Sequence, residues 1–149
     1  MKIYTDASYD EHNKTAGIGI IKCRGTKEVP ISNHGRFSSV NEAELFAIYI
    51  GCVWAGGEEC TIYTDSQTAL SYIKGEIKEK PRTKNQYIRH MHCKFWAYKI
   101  QHFNNCKFEK VKAHTSQFRG HEFINKMADL KAKEGLGKYY YSLKQQKSR

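Results

Sequence analysis

Ile3-Tyr4-Thr5-Asp6 and Ile62-Tyr63-Thr64-Asp65 carry the same four side chains twice in one chain. Each copy reads as a strand that ends in an aspartate. Side chains alternate along a strand, so Tyr4 shares a face with Asp6, and Tyr63 with Asp65. Two such strands lying parallel and adjacent would bring both carboxylates to the carboxyl edge of a sheet, where open α/β sheets usually bind their ligands. Taken singly, Asp65 would cap a helix beginning at Ser66, and Asp6 would be a turn residue before Ser8. The repetition weighs against both local explanations.

The segments around the two copies supply the rest of the fold. Lys2 to Ala7, Ala16 to Cys23 and Glu28 to Phe37 read as strands, separated by short polar breaks, and predict an antiparallel meander. A strongly apolar helix follows over Val40 to Ala55. Ser39 caps it, with Glu42 at the capping-box position, and Gly56-Gly57 stops it. Next come a strand at Cys60 to Thr64, a helix from Ser66 to Lys74, and a basic connector bounded by Gly75 and Pro81. A long helix over Lys84 to Phe103, a strand at Lys107 to Lys112 and a loop at Thr115 to Gly120 lead to a final helix. That helix is expected from His121 to Glu134, stopped by Gly135. The order β-β-β-α-β-α-α-β-α predicts an α/β fold: a mixed five-stranded sheet, part antiparallel meander and part parallel, flanked by helices.

Glu44 joins the two aspartates as a third candidate. Its helical neighbours Ala47, Ile48 and Gly51 form a small, apolar face suited to packing on the sheet. A carboxylate there is costly unless a cation or metal pairs with it. Glu42 is accounted for by the capping box; Glu44 is not. The alternative is a place at the exposed margin of the helix. In the last helix Phe123, Met127 and Leu130 mark the expected buried stripe, and Asn125, Asp129 and Lys133 a polar face. Pattern alone makes Asp129 a solvated acid and His114 a loop histidine able to move protons near neutrality.

The 149 residues suit one compact domain. A net charge of +10 points to polyanionic partners, nucleic acid foremost. No apolar run is long enough for a membrane span, and Met1 to Asp6 begin no signal peptide. A cytoplasmic location and no membrane partner are therefore expected. The five cysteines are odd in number, contain no C-x-x-C, and sit mostly in apolar segments, so free thiols are expected rather than disulfides. His90, His92 and Cys93 do not share one helix face at their spacing, which argues against a zinc site.

Five short motifs now stand in order: Tyr4-Thr5-Asp6-Ala7-Ser8, Asn41-Glu42-Ala43-Glu44-Leu45, Tyr63-Thr64-Asp65-Ser66-Gln67, Val111-Lys112-Ala113-His114 and Asn125-Lys126-Met127-Ala128-Asp129. Together they resemble the type 1 ribonuclease H family, in a form lacking the basic handle. The resemblance implies a ribonuclease H domain over residues 1–137, followed by a basic, aromatic tail at 138–149 that is either unordered or able to grip phosphates and bases. It implies that Asp6, Glu44, Asp65 and Asp129 hold two Mg²⁺ ions, with Mn²⁺ a substitute, and that His114 assists proton transfer. Ser8, Ser39, Asn41 and Gln67 fall where the family contacts the hybrid's minor groove. The implied activity is hydrolysis of the RNA strand of an RNA/DNA hybrid by a monomer, leaving 5′-phosphate and 3′-hydroxyl ends. The sequence departs from the family at Ala7, where glycine is common, at Glu42, where some members are basic, and in the short connector Gly75 to Lys84. A catalytically inactive hybrid-binding module, or another nuclease on the same fold, is the alternative.

Overall fold

The computed structural model describes residues 1–111 and 120–147. Three long strands come first: β1 (Lys2–Asp10), β2 (Thr15–Arg24) and β3 (Lys27–Arg36). They form the predicted meander, with Lys2 opposite Cys23 at one end of the first pair and Asp10 opposite Thr15 at the other. Helix α1 (Val40–Trp54) then crosses to β4 (Cys60–Thr64). Helices α2 (Gln67–Lys74) and α3 (Lys84–Ile100), β5 (Cys106–Lys110) and α4 (His121–Lys147) complete the described chain. The sheet order is β3-β2-β1-β4-β5. β4 runs parallel to both β1 and β5, so the sheet is mixed, as expected.

The sheet is covered on both faces, and β2 has the composition this demands. Ile18 and Ile20 join the larger core with α1 and α3 residues, while Ile21 and Cys23 join the smaller one with Ile124, Met127 and Ala128 of α4. Leu45, Ile48, Ile3 and Ile62 are completely buried in the larger core. The contact of α1 with the sheet is close at Gly51, where an added Cβ would lie 3.2 Å from Ile3 and 3.3 Å from Thr5. All five cysteines are free and buried. Among the described residues no helix is long and apolar enough to cross a membrane.

The α1 cap differs from the expected box in one detail. Ser39 Oγ accepts from the Glu42 amide at 3.2 Å. The Glu42 carboxylate, however, reaches back to the Ser38 amide at 2.7 Å and accepts from Trp96 Nε1 at 2.9 Å. It therefore ties the start of α1 to α3 as well as closing the cap.

The last helix departs most from expectation. Gly135 does not stop it; α4 continues to Lys147. Nor do Phe123 and Leu130 face the core, being 40% and 56% exposed. The sheet-facing line is Asn125, Ala128, Ala132 and Gly135. The cause is close approach. A Cβ on Gly17 would lie 1.8 Å from the Ala132 carbonyl oxygen, one on Gly19 would lie 2.0 Å from that of Ala128, and one on Gly135 would lie 2.0 Å from that of Asn33. Only small side chains fit between helix and sheet there, and the missing Cβ of Gly135 makes room for a strand rather than ending a helix. Residues 138–147, read from the sequence as a tail, continue α4. Tyr139 packs on His34 at 5.6 Å between ring centroids, and the Tyr140 hydroxyl donates to Asp10.

Candidate active site

The repeated tetrapeptides lie side by side. Ile3 pairs with Ile62 and Tyr4 with Tyr63, in parallel register. The two tyrosine rings stack at 4.7 Å between centroids, 13° from coplanar. Two residues further on, Asp6 lies within β1, which continues to Asp10, and Asp65 lies one residue past the carboxyl end of β4. Ser66, not Asp65, caps α2, accepting from the Ala69 amide at 3.1 Å. The Asp65 carboxylate is therefore not consumed by the helix it precedes.

Glu44 enters from α1, two residues beyond the capping glutamate. It is 6% exposed, on the face that packs against the sheet. Ligand atoms of Asp6, Glu44 and Asp65 all lie within 4.8 Å of one another. Burial, then the neighbouring Asp65 charge, pushes the Asp6 carboxyl up to about 7. Burial, then the charges of Asp6 and Asp65, raises Glu44 well above the usual carboxylate range. Glu44 Oε2 is buried with no hydrogen-bond partner. Three crowded acids with an orphaned, desolvated oxygen are costly alone, and they suit a hard cation that takes oxygen ligands.

The other expected residues fall around this cluster. Asp129 contributes to the field at Asp6 but lies outside the tight group, paired with Lys133 at 3.1 Å. Asp65 and Asp129 line one cavity of about 310 Å³, with Glu122, Asn125, Lys126 and Lys133 among its walls. Ser39 and Asn41 line a neighbouring cleft of about 290 Å³, together with Tyr9, Tyr72, Gln86 and Arg89. Ser8 is partly exposed on β1, two residues beyond Asp6. Gln67 is exposed on α2, its Nε2 donating to Ser71 Oγ at 3.3 Å. His114 lies outside the described residues. His90 and His92 turn to different partners, Tyr72 and Ser38, as their helical spacing requires.

One neighbour escaped the sequence reading. The pattern puts Asn125 on a polar face with Asp129 and Lys133, yet it is 3% exposed. Its Nδ2 lies 3.5 Å from Asp65 Oδ2, and its Oδ1 has no partner. Its position four residues before Asp129 put both on one helix face, but only the close approach of α4 turns that face toward the cluster.

The raised Asp6 carboxyl has a consequence for stability. An acid raised in the fold stabilises it fully below the unfolded value of 3.8, and that stabilisation is lost as pH rises through about 7. In chelator, Asp6→Asn is expected to be more stable than the unsubstituted protein near pH 8 by a few kcal/mol. The difference should vanish as pH falls toward 4. Urea unfolding of both proteins across this range checks it; a difference independent of pH would refute it.

A mixed sheet in this order, with acids gathered where β1 and β4 meet, defines a ribonuclease H-like fold. The chain belongs to the RNase H family, whose model matches residues 1–137. Its structure is similar to RNase H1 from the halophilic archaeon Halobacterium salinarum, with 17% identity, 92% of this chain and 97% of that one covered, and a TM-score of 0.64. It is also similar to LC11-RNase H1 in complex with an RNA/DNA hybrid, with 19% identity, coverage of 93% and 98%, and a TM-score of 0.59. The prototype foamy virus protease-reverse transcriptase matches over 90% of this chain and 20% of its own, at 22% identity and a TM-score of 0.65. No curated protein sequence is significantly similar to the chain.

Proposed function

We propose that the chain is a divalent-metal-dependent endonuclease that hydrolyses the RNA strand of RNA/DNA hybrids and leaves 5′-phosphate and 3′-hydroxyl ends. The observation that carries this reading is the trio Asp6, Glu44 and Asp65, within 4.8 Å of one another in a chain of the RNase H family. The hybrid in the LC11-RNase H1 complex supports the choice of substrate.

Asp6, Glu44 and Asp65 would hold the metal, and Asp129 would complete the set from α4. A bound pair of Mg²⁺ ions supplies charge at the scissile phosphate and lowers the pKa of water. The acids' own contribution is a negative pocket, with Asp6 on β1, Glu44 on α1 and Asp65 one residue past the end of β4. Ser8, Ser39, Asn41 and Gln67 carry short hydroxyl and amide groups suited to reading ribose 2′-hydroxyls without reading bases. The Ser39 hydroxyl accepts from the Glu42 amide. His114 is proposed to move the proton of the leaving group. The net charge of +10 supplies attraction to the phosphates, with strong salt dependence.

The test compares an RNA/DNA hybrid, duplex DNA, duplex RNA and a DNA junction, each with Mg²⁺ or with chelator. The expected result is cutting of the hybrid's RNA strand alone, only with Mg²⁺, giving fragments that a polymerase extends directly. Hybrid binding without cutting would make the chain an inactive binding module. Cutting of junction DNA would make it a different nuclease on this fold.

A further inference from the structure

Among the described residues, no other element covers the outer face of α3. Tyr87, Met91, Phe95 and Tyr98 recur at helical spacing, with Ile88 beside them, and are between 39% and 64% exposed. At about 100° per residue they fall in an arc of roughly 100°. The buried residues of α3, Cys93, Ala97 and Ile100, lie on the opposite side. The helix is thus apolar on two faces, and only one meets the core.

The charge around this stripe selects its occupant. Lys84, Lys94 and Lys99 of α3 lie on or beside the stripe, and the helix carries no acidic residue. The Lys99 ammonium lies 5.0 Å from the Phe95 ring centroid. Pairing with α3 of a second copy would set these cations against their own kind. A polyanion with flat apolar faces fits better, and single-stranded nucleic acid has both properties. The stripe also begins at the substrate side. Gln86 and His90, on either side of Tyr87 in the sequence, line the groove that holds Asn41 and the connector residues Glu76 to Arg82.

We infer that the outer face of α3 binds a single-stranded extension of the substrate, with bases stacked on Tyr87, Phe95 and Tyr98 and phosphates beside the lysines. The inference rests on the reading of the chain as a hybrid nuclease. It gives the enzyme a preference for hybrids that carry an unpaired tail over blunt ones.

The test measures binding by fluorescence anisotropy in chelator, so that nothing is cut. The probes are a blunt RNA/DNA hybrid and the same hybrid with a tail of about ten thymidine nucleotides at each strand end in turn. For at least one tail position, affinity should rise about tenfold over the blunt hybrid. In the double variant Phe95→Ala/Tyr98→Ala that gain should disappear, while blunt-hybrid affinity and melting temperature stay unchanged. Equal affinity for blunt and tailed hybrids, or a gain that survives in the variant, overturns the inference and leaves the hybrid reading intact. A dimer that the same double variant dissolves would assign the stripe to self-association and also overturn it. Failure to bind even the blunt hybrid would remove both readings together.

Discussion

Asp65→Asn is expected to lower the rate of hybrid cleavage on the order of 10³-fold or more, with the fold and hybrid binding retained. Asparagine keeps the shape and one oxygen of aspartate but removes the charge that a divalent cation needs. Nothing else at this position should suffer. Ser66 carries the cap of α2, and Asn125 Nδ2 can still meet a side-chain oxygen there. The substitution also removes a charge that raises Asp6 and Glu44. The metal-free variant should therefore melt slightly higher than the unsubstituted protein, and lost turnover could not be blamed on unfolding. Single-turnover cleavage, thermal melting in chelator and hybrid binding are the three readouts. Unchanged turnover would remove Asp65 from the chemistry.

Gly19→Ala, like Gly17→Ala beside it, should be strongly damaging although it adds only a methyl group. Its Cβ would sit 2.0 Å from the Ala128 carbonyl oxygen and 2.5 Å from the Ala132 amide nitrogen. Both are backbone atoms of α4, so no side chain can rotate aside; the helix must lift off the sheet. A loss of about 3 kcal/mol is expected. Because α4 carries Asn125 and Asp129, cleavage should weaken too. Urea unfolding measures the first effect. Hydrogen exchange should show α4 amides losing protection ahead of those in β1 and β4. A near-neutral Gly19→Ala would mean that the helix stands further from the sheet than this packing requires.

What the sequence revealed and what it concealed divide along one physical line. The pairing of β1 with β4 was legible because both partners carry the same local word, and period-two alternation fixes where its aspartate points. Glu44 was legible because a carboxylate among Ala47, Ile48 and Gly51 conflicts with its own helix face. α4 was misread because its determinants are remote. Phe123 and Leu130 are large and apolar, which locally argues for burial, but Gly17 and Gly19 admit only alanine-sized neighbours. Gly135 has the local look of a helix end, and only the Asn33 carbonyl opposite explains it. Tyr139 and Tyr140 meet partners on the meander, His34 and Asp10, from the far end of the chain. Asn125 was hidden for the same reason: which side of a helix faces inward is decided by the surface it lands on.

The five buried thiols give the protein a built-in set of reporters for its own breathing. Cys23 belongs to the smaller core shared with α4, and Cys52, Cys60, Cys93 and Cys106 to the larger one. Their burial slows reaction with a maleimide dye, most at Cys52 and Cys93, which are 1% and 2% exposed, and mass spectrometry can follow each separately. If α4 detaches before the rest, Cys23 will be modified first, and the order of labelling will trace how the molecule comes apart.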